Sequence, residues 1–184
     1  MKRLQRAVIL ADLADKMTAH GSWCGETHLQ KAVYFLQELL KVPLDYRFML
    51  YKHGPFSFDL RDEITELRVY DLFRLEPRPI PYGPSLRPTT NAGELKSRFP
   101  KTMKKYSERL AFVDEALDGK GVADLERLAT ALYVSLEGKD SEGEARATQI
   151  HVLKPHVSKD SALKAIIEVD KMRQEVLNLS ENPS

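Results

Sequence analysis

Five prolines, Pro77, Pro79, Pro81, Pro84 and Pro88, fall within twelve residues, and no helix can run through them. Each lacks an amide donor, and each ring clashes with the preceding turn. The segments on both sides are patterned as helices, so the chain must be a helical protein interrupted by a short device of another kind. Phe73-Arg74-Leu75-Glu76 and Ser85-Leu86-Arg87 flank Pro81-Tyr82-Gly83-Pro84. This arrangement predicts a two-stranded hairpin with its prolines on the edges.

Ahead of the hairpin, Leu10, Leu13 and Met17 mark one stripe of a first helix from Leu4 to about Ala19, which Gly21-Ser22 breaks. Thr27 and Gln30 have the spacing of a capping box. Leu29, Val33, Leu36 and Leu40 then follow one helical face up to Pro43. Tyr46 to Tyr51 reads as a short aromatic strand that stops at a His53-Gly54-Pro55 turn, with Phe56 or Phe58 turned into the core. Ser57 can cap a third helix to about Leu72, with Leu60, Ile64 and Leu67 facing inward.

Beyond the hairpin, Asn91 and Glu94 are placed to cap a helix that Pro100 interrupts. A long helix then carries Tyr106, Leu110, Val113 and Leu117, and another carries Leu125, Leu128, Leu132 and Leu136. Gly138 to Gly143 reads as an acidic loop, Glu144 to Leu153 as a short helix ended by Pro155, and Ser158 as the start of the last helix, to about Leu179. The tail from Ser180 to Ser184 should fray. Three helices closing on a small hairpin form a winged-helix arrangement. The expectation is therefore a mostly helical α+β chain. Residues 1–90 would be a winged-helix-like domain with a β-hairpin wing, and residues 91–184 an α-helical extension packed on it. A plain bundle with an ordered proline-rich loop is the alternative.

Composition narrows the class further. Hydrophobic residues make up 42% of the 184, enough for a real core. The lone cysteine, Cys24, cannot form an internal disulfide, which favours a reducing compartment and a cytoplasmic location. No apolar run reaches the ~20 residues that cross a bilayer, and Asp12 and Asp15 interrupt the N-terminal apolar segment, so no signal peptide or membrane partner is expected.

The 28 basic and 27 acidic residues nearly cancel, yet they are unevenly placed. Residues 74–109 carry nine basic side chains against three acidic, a net of +6; residues 110–148 carry four against nine, a net of −5. Arg74, Arg78, Arg87, Lys101, Lys104 and Lys105 are the candidate phosphate contacts, since each neutralised phosphate releases a counterion. The third helix has five acids against two bases. A negative helix is repelled by duplex DNA and supplies few groups for base edges, so major-groove reading is not expected. Its Asp59, Asp62, Glu63 and Glu66 instead suit a basic protein surface.

Reactive constellations are scarce. Cys24 and His28, with His20 and Glu26 nearby, lack the paired spacing of a zinc site, and no supporting pattern makes Cys24 a nucleophile. His53-Gly54-Pro55 is explained by a turn, and Lys154-Pro155-His156 by a helix stop. No phosphate loop, dinucleotide fingerprint, metalloprotease helix or nucleophile elbow occurs. The reading is a non-enzyme with no catalytic residues, no metal and no cofactor.

The run Thr27-His28-Leu29-Gln30-Lys31-Ala32-Val33-Tyr34-Phe35-Leu36-Gln37 resembles the "LQKLVYF" helix of Panacea antitoxin-like domains, and Tyr51-Lys52-His53-Gly54-Pro55 resembles their Tyr-x-x-Gly-Pro turn. The resemblance covers about residues 4–95. Thr27, Gln30, Gly54 and Pro55 are its structural motif residues. Leu125 to Tyr133 and Leu153-Lys154-Pro155-His156 look like the C-terminal half of related bacterial winged-helix-like proteins. The resemblance implies a domain without catalytic activity that neutralises a partner toxin by contact or serves in defence. The expected function is thus a protein-interaction or regulatory module. The alternative is a nucleic-acid binder using the basic wing and the following helix. The apolar breadth of the last helix (Leu163, Ile166, Ile167, Val169, Met172, Val176, Leu177) would also suit a homodimer.

Overall fold

A computed structural model describes residues 1–80, 82–138 and 142–181. Pro81 of the expected hairpin turn, residues 139–141 of the acidic loop and residues 182–184 of the tail lie outside the described residues. Among the described residues the chain is mostly helical, with two two-stranded sheets. In order these are α1 (Arg3–Ala19), α2 (Glu26–Glu38), β1 (Met49–Tyr51), β2 (Gly54–Phe56), α3 (Phe58–Val69), β3 (Phe73–Glu76), β4 (Ser85–Pro88), α4 (Thr90–Ser97), α5 (Pro100–Leu117), α6 (Val122–Glu137), α7 (Gly143–Leu153) and α8 (Lys159–Glu181). No described helix is long and apolar enough to cross a membrane.

Two compact units divide the chain. The first comprises residues 1–49 and 56–120; the second comprises residues 50–55 and 121–184. The sequence-based boundary at residue 90 is therefore displaced. α4 and α5, expected in the extension, pack on α1 because Ala92, Tyr106, Leu110, Val113 and Leu117 bury their apolar sides in the first unit's core. Pro100 starts α5 as its first helical residue, where its missing N–H leaves no bond unmade.

In the first unit, α1 is the central helix, with Val8, Ile9, Leu10, Leu13 and Ala14 fully buried. Ser57 caps α3 as expected, its Oγ accepting from the Leu60 amide at 3.2 Å. The proline-rich hairpin forms with Phe73 opposite Pro88 and Leu75 opposite Leu86. The segment joining α1 to α2 adds to its edge. Gly25 bridges Ser85, and the Leu86 amide donates to the Cys24 carbonyl at 2.9 Å.

Three local expectations are corrected. The capping box of Thr27 and Gln30 does not form: Gly25 is the N-cap of α2, and Thr27 lies inside the helix. Gln30 is fully buried and its carboxamide takes both backbone groups of Ser57, donating to the carbonyl at 2.9 Å and accepting from the amide at 3.0 Å. Asn91 is not a cap either; Thr89 is, and the Asn91 amide donates to Asp71.

The aromatic run from Tyr46 is the third correction. Strand pairing begins only at Met49, because Lys41 and Asp45 adopt left-handed backbone and the Gln37 carboxamide satisfies both the amide and carbonyl of Tyr46 at 2.9 Å. Gly54-Pro55-Phe56 is itself the second strand, so the turn lies at Lys52-His53. Gly54 has φ of +82°, a conformation that favours glycine. Phe56 and Phe58 stay half-buried against one another, rings 5.1 Å apart, rather than filling the core.

The second unit is a three-helix bundle of α6, α7 and α8. Leu125, Leu128, Leu132, Ile150, Ile166 and Val169 form its core. Arg146 ties the three helices together. Its guanidinium donates to Ser135 Oγ at 2.8 Å and, with two nitrogens, to the Asp170 carboxylate at 2.8 and 2.6 Å. Ser158 opens α8, accepting from the Ser161 amide at 3.2 Å. Ala162, Ala165, Ile166, Val169 and Met172 of that helix are buried, whereas Ile167 and Leu177 are exposed, so its apolar surface extends beyond the buried stripe.

Candidate functional site

The acidic helix of the first unit is largely neutralised by its own neighbours. Asp59 pairs with Arg47, Asp62 with Arg61, Glu66 with Arg3 and Glu63 with Arg6. Glu63 is only 6% exposed and also accepts from the Tyr46 hydroxyl at 2.9 Å. Burial first, then the Glu63 charge, push that hydroxyl well above its usual pKa, so it remains a donor. Glu63 is therefore part of the interior, not of a surface offered to a partner. Asp59, Asp62 and Glu66 are exposed, but each already faces an arginine.

The basic residues behave differently. On the hairpin, Arg87 is spent on Glu76 and Thr18, and Arg78 donates to Ser85 Oγ; Arg74 is exposed. Along α5, Lys101, Lys104, Lys105 and Arg109 are all exposed, as is Arg98 just before it. Among the described residues none of these five forms an ion pair. Lys105 and Arg109 lie over the Tyr106 ring, 5.3 and 5.9 Å from its centre. Lys101, Lys105 and Arg109 recur at i+4, beside the buried stripe of Thr102, Tyr106 and Leu110, so they line one edge of the helix.

Cys24, His20 and His28 do not form a centre. Burial pushes the Cys24 thiol up to about 12 and lowers the pKa of His28, while His20 pairs with the buried Asp114 at 2.7 Å. Among the described residues no group of three or more His, Cys, Asp or Glu side chains is placed to hold a metal ion.

A constellation that sequence reading divided among separate turns does come together in the second unit. Glu126, on the first turns of α6, is 6% exposed. Its Oε2 stands 3.3 Å from His53 Nδ1 on the β1–β2 turn. Its Oε1 stands 3.4 Å from Lys154 Nζ and 3.3 Å from His156 Nε2, just after α7, yet accepts no hydrogen bond. Lys154 is equally buried, and its ammonium donates to the carbonyls of Tyr51 and Lys52, both at 2.6 Å. His53 and His156 are 55% and 62% exposed, so one buried ion pair is rimmed by two accessible imidazoles.

A cavity of about 190 Å³ opens beside this cluster, lined by Ala123, Glu126, Arg127, His156, Val157, Ser158 and Ser161. One signal was present in the chain: His53 and His156 each sit next to a proline turn, and Glu126 interrupts an apolar face. No link between these positions is visible, because 73 residues separate His53 from Glu126. No model of a known protein family matches the chain, and no curated protein matches it.

Proposed function

We propose that the first unit is a winged-helix-like module that holds nucleic acid by its phosphates and catalyses no reaction on it. The observation that carries this reading is the contrast in charge. The cations of α5 and Arg98 are exposed without ion pairs, whereas the carboxylates of α3 face their own arginines. An unpaired cation binds phosphate at no cost in internal pairs and gains from released counterions. Topology supports the fold half of the reading. A helix, a short edge segment, a second helix, the small β1–β2 pair, a third helix and the β3–β4 hairpin follow in order, and the edge segment is bridged to that hairpin's second strand, a winged-helix-like order with an added β1–β2 pair. Base reading by α3 is not part of the proposal, since the helix presents no free cation row.

At low salt a duplex should retard the protein, and the triple variant Lys101→Glu, Lys104→Glu, Lys105→Glu should abolish retardation while melting normally. A variant that still binds as well as the parent, or a parent that never binds, would remove the proposal.

One observation favours a second reading, contact with a protein partner as the Panacea resemblance implies. At the hairpin tip Ile80 is 95% exposed, and the Trp23 and Tyr82 rings, 40% and 51% exposed, meet edge to face 4.0 Å apart. Apolar groups so placed are characteristic of partner surfaces. Ile80→Asp with Tyr82→Ser should disrupt pull-down of such a partner and leave duplex binding intact.

A further inference from the structure

We infer that the cationic edge of α5 is a track one strand wide, which holds single-stranded nucleic acid along its backbone and has no need of a duplex. The inference rests on the phosphate-binding reading of the first unit. Its starting point is spacing. Lys101, Lys105 and Arg109 are exposed and follow one another at i+4. Each step advances about 6 Å along the helix axis. A stretched nucleotide unit covers a comparable distance, so one strand can set successive phosphates against successive cations. Arg98, exposed just ahead of the helix, offers a fourth contact. Lys105 and Arg109 both lie over the Tyr106 ring, which aligns them. Tyr106 itself is 4% exposed, so no base can stack on it and the row meets phosphates alone.

Both flanks of the row are closed to a second strand. On one side lies the buried stripe of Thr102, Tyr106 and Leu110, in the face of α5 that packs against α1 and α2. On the other side the neighbouring line of α5 runs Lys104, Glu108, Glu115, at spacings of four and seven, and turns from basic to acidic. Glu108 and Glu115 are exposed, and among the described residues neither forms an ion pair. A strand laid on the row releases a counterion at each cation. The second strand of a duplex would bring its phosphates toward two uncompensated carboxylates, and like charges repel.

The test measures binding of the full chain at low salt to a ten-residue oligothymidylate, an abasic strand of equal length and a ten-base-pair duplex, with phosphatidylglycerol vesicles as the other source of phosphate. The oligothymidylate should bind at least as tightly as the duplex and displace it, and the abasic strand should match it within threefold. Four contacts at ~0.7 counterion each predict a slope of about −3 in log affinity against log salt. Lys105→Ala should bring that slope to about −2 with an unchanged melt. Glu108→Gln with Glu115→Gln should tighten the duplex at least threefold and the single strand less than half as much. A duplex that the oligothymidylate cannot displace, a strand that needs its bases, an unchanged slope in Lys105→Ala, or equal gains for both ligands in the double variant would overturn the track and leave the phosphate reading standing. Tighter binding to the vesicles would assign the edge to a lipid surface and overturn it. No binding to either nucleic acid would remove both readings.

Discussion

At the scale of single residues, the strongest constraint is the Glu126–Lys154 pair. Both groups are buried, and the Lys154 ammonium donates to two carbonyls of the β1–β2 turn. Breaking a buried pair leaves an uncompensated charge, so Lys154→Met should destabilise the second unit by about 3–5 kcal/mol. Urea denaturation followed by circular dichroism checks this, and a change under about 1 kcal/mol would show that the pair is dispensable. Gly54, at φ +82°, predicts a separate cost. Gly54→Ala should lower stability by more than the ~1 kcal/mol such a change can gain at a permissive position. The turn at Gly54 was legible as a motif, but its clamp by Lys154 was not. A turn motif reports its own backbone, not the distant side chain that will clamp it.

Between elements, two glutamines do work usually assigned to backbone. Gln30 and Gln37, seven residues apart on α2, each satisfy the amide and carbonyl of one residue in an irregular segment. Gln30→Leu would orphan both polar groups of Ser57, for a loss of about 2–4 kcal/mol in chemical denaturation. A seven-residue spacing places both glutamines on nearly the same helical face, and that face is apolar elsewhere. This was the available signal, and it reads as ordinary packing until the partner segment is known. The helices themselves were legible because each buries a stripe at helical spacing, and the hairpin because proline excludes the alternative. The start of β1 was not, since aromatic residues favour strand at Tyr46 while Lys41 and Asp45 bend the chain away from one.

In the bundle, the Asp170 carboxylate is held below its ordinary value, chiefly by the hydrogen bonds from Arg146. A depressed acid contributes stability that is complete above its unfolded value, 3.8, and is lost as pH falls through the lower folded value. Asp170→Asn should therefore flatten the acid side of a melting-temperature profile and cost most near neutrality. An unchanged acid limb would show that Arg146 gains nothing from the charge.

For the whole molecule, the division into two units matters more than the count of elements. Each has its own core, so Lys154→Met should shift the unfolding of α6–α8 while probes in the first unit, such as the single tryptophan Trp23, follow the parent curve. One coincident transition at the lowered midpoint would instead make the chain a single cooperative block. Net charge of +1 concealed the contrast between paired acids on α3 and exposed bases on α5, because composition does not tell which charges already have partners.

The second unit takes residues 50–55 from the middle of the first unit's sequence. On the ribosome this hairpin tip is made long before the lysine that grips it, for Lys154 lies 103 residues after Tyr51. At ~5–20 residues per second, the tip waits about 5–20 s for its clamp. Through that interval the loop lacks its lysine clamp, and a synthesis halt before residue 154 leaves the tip permanently without it.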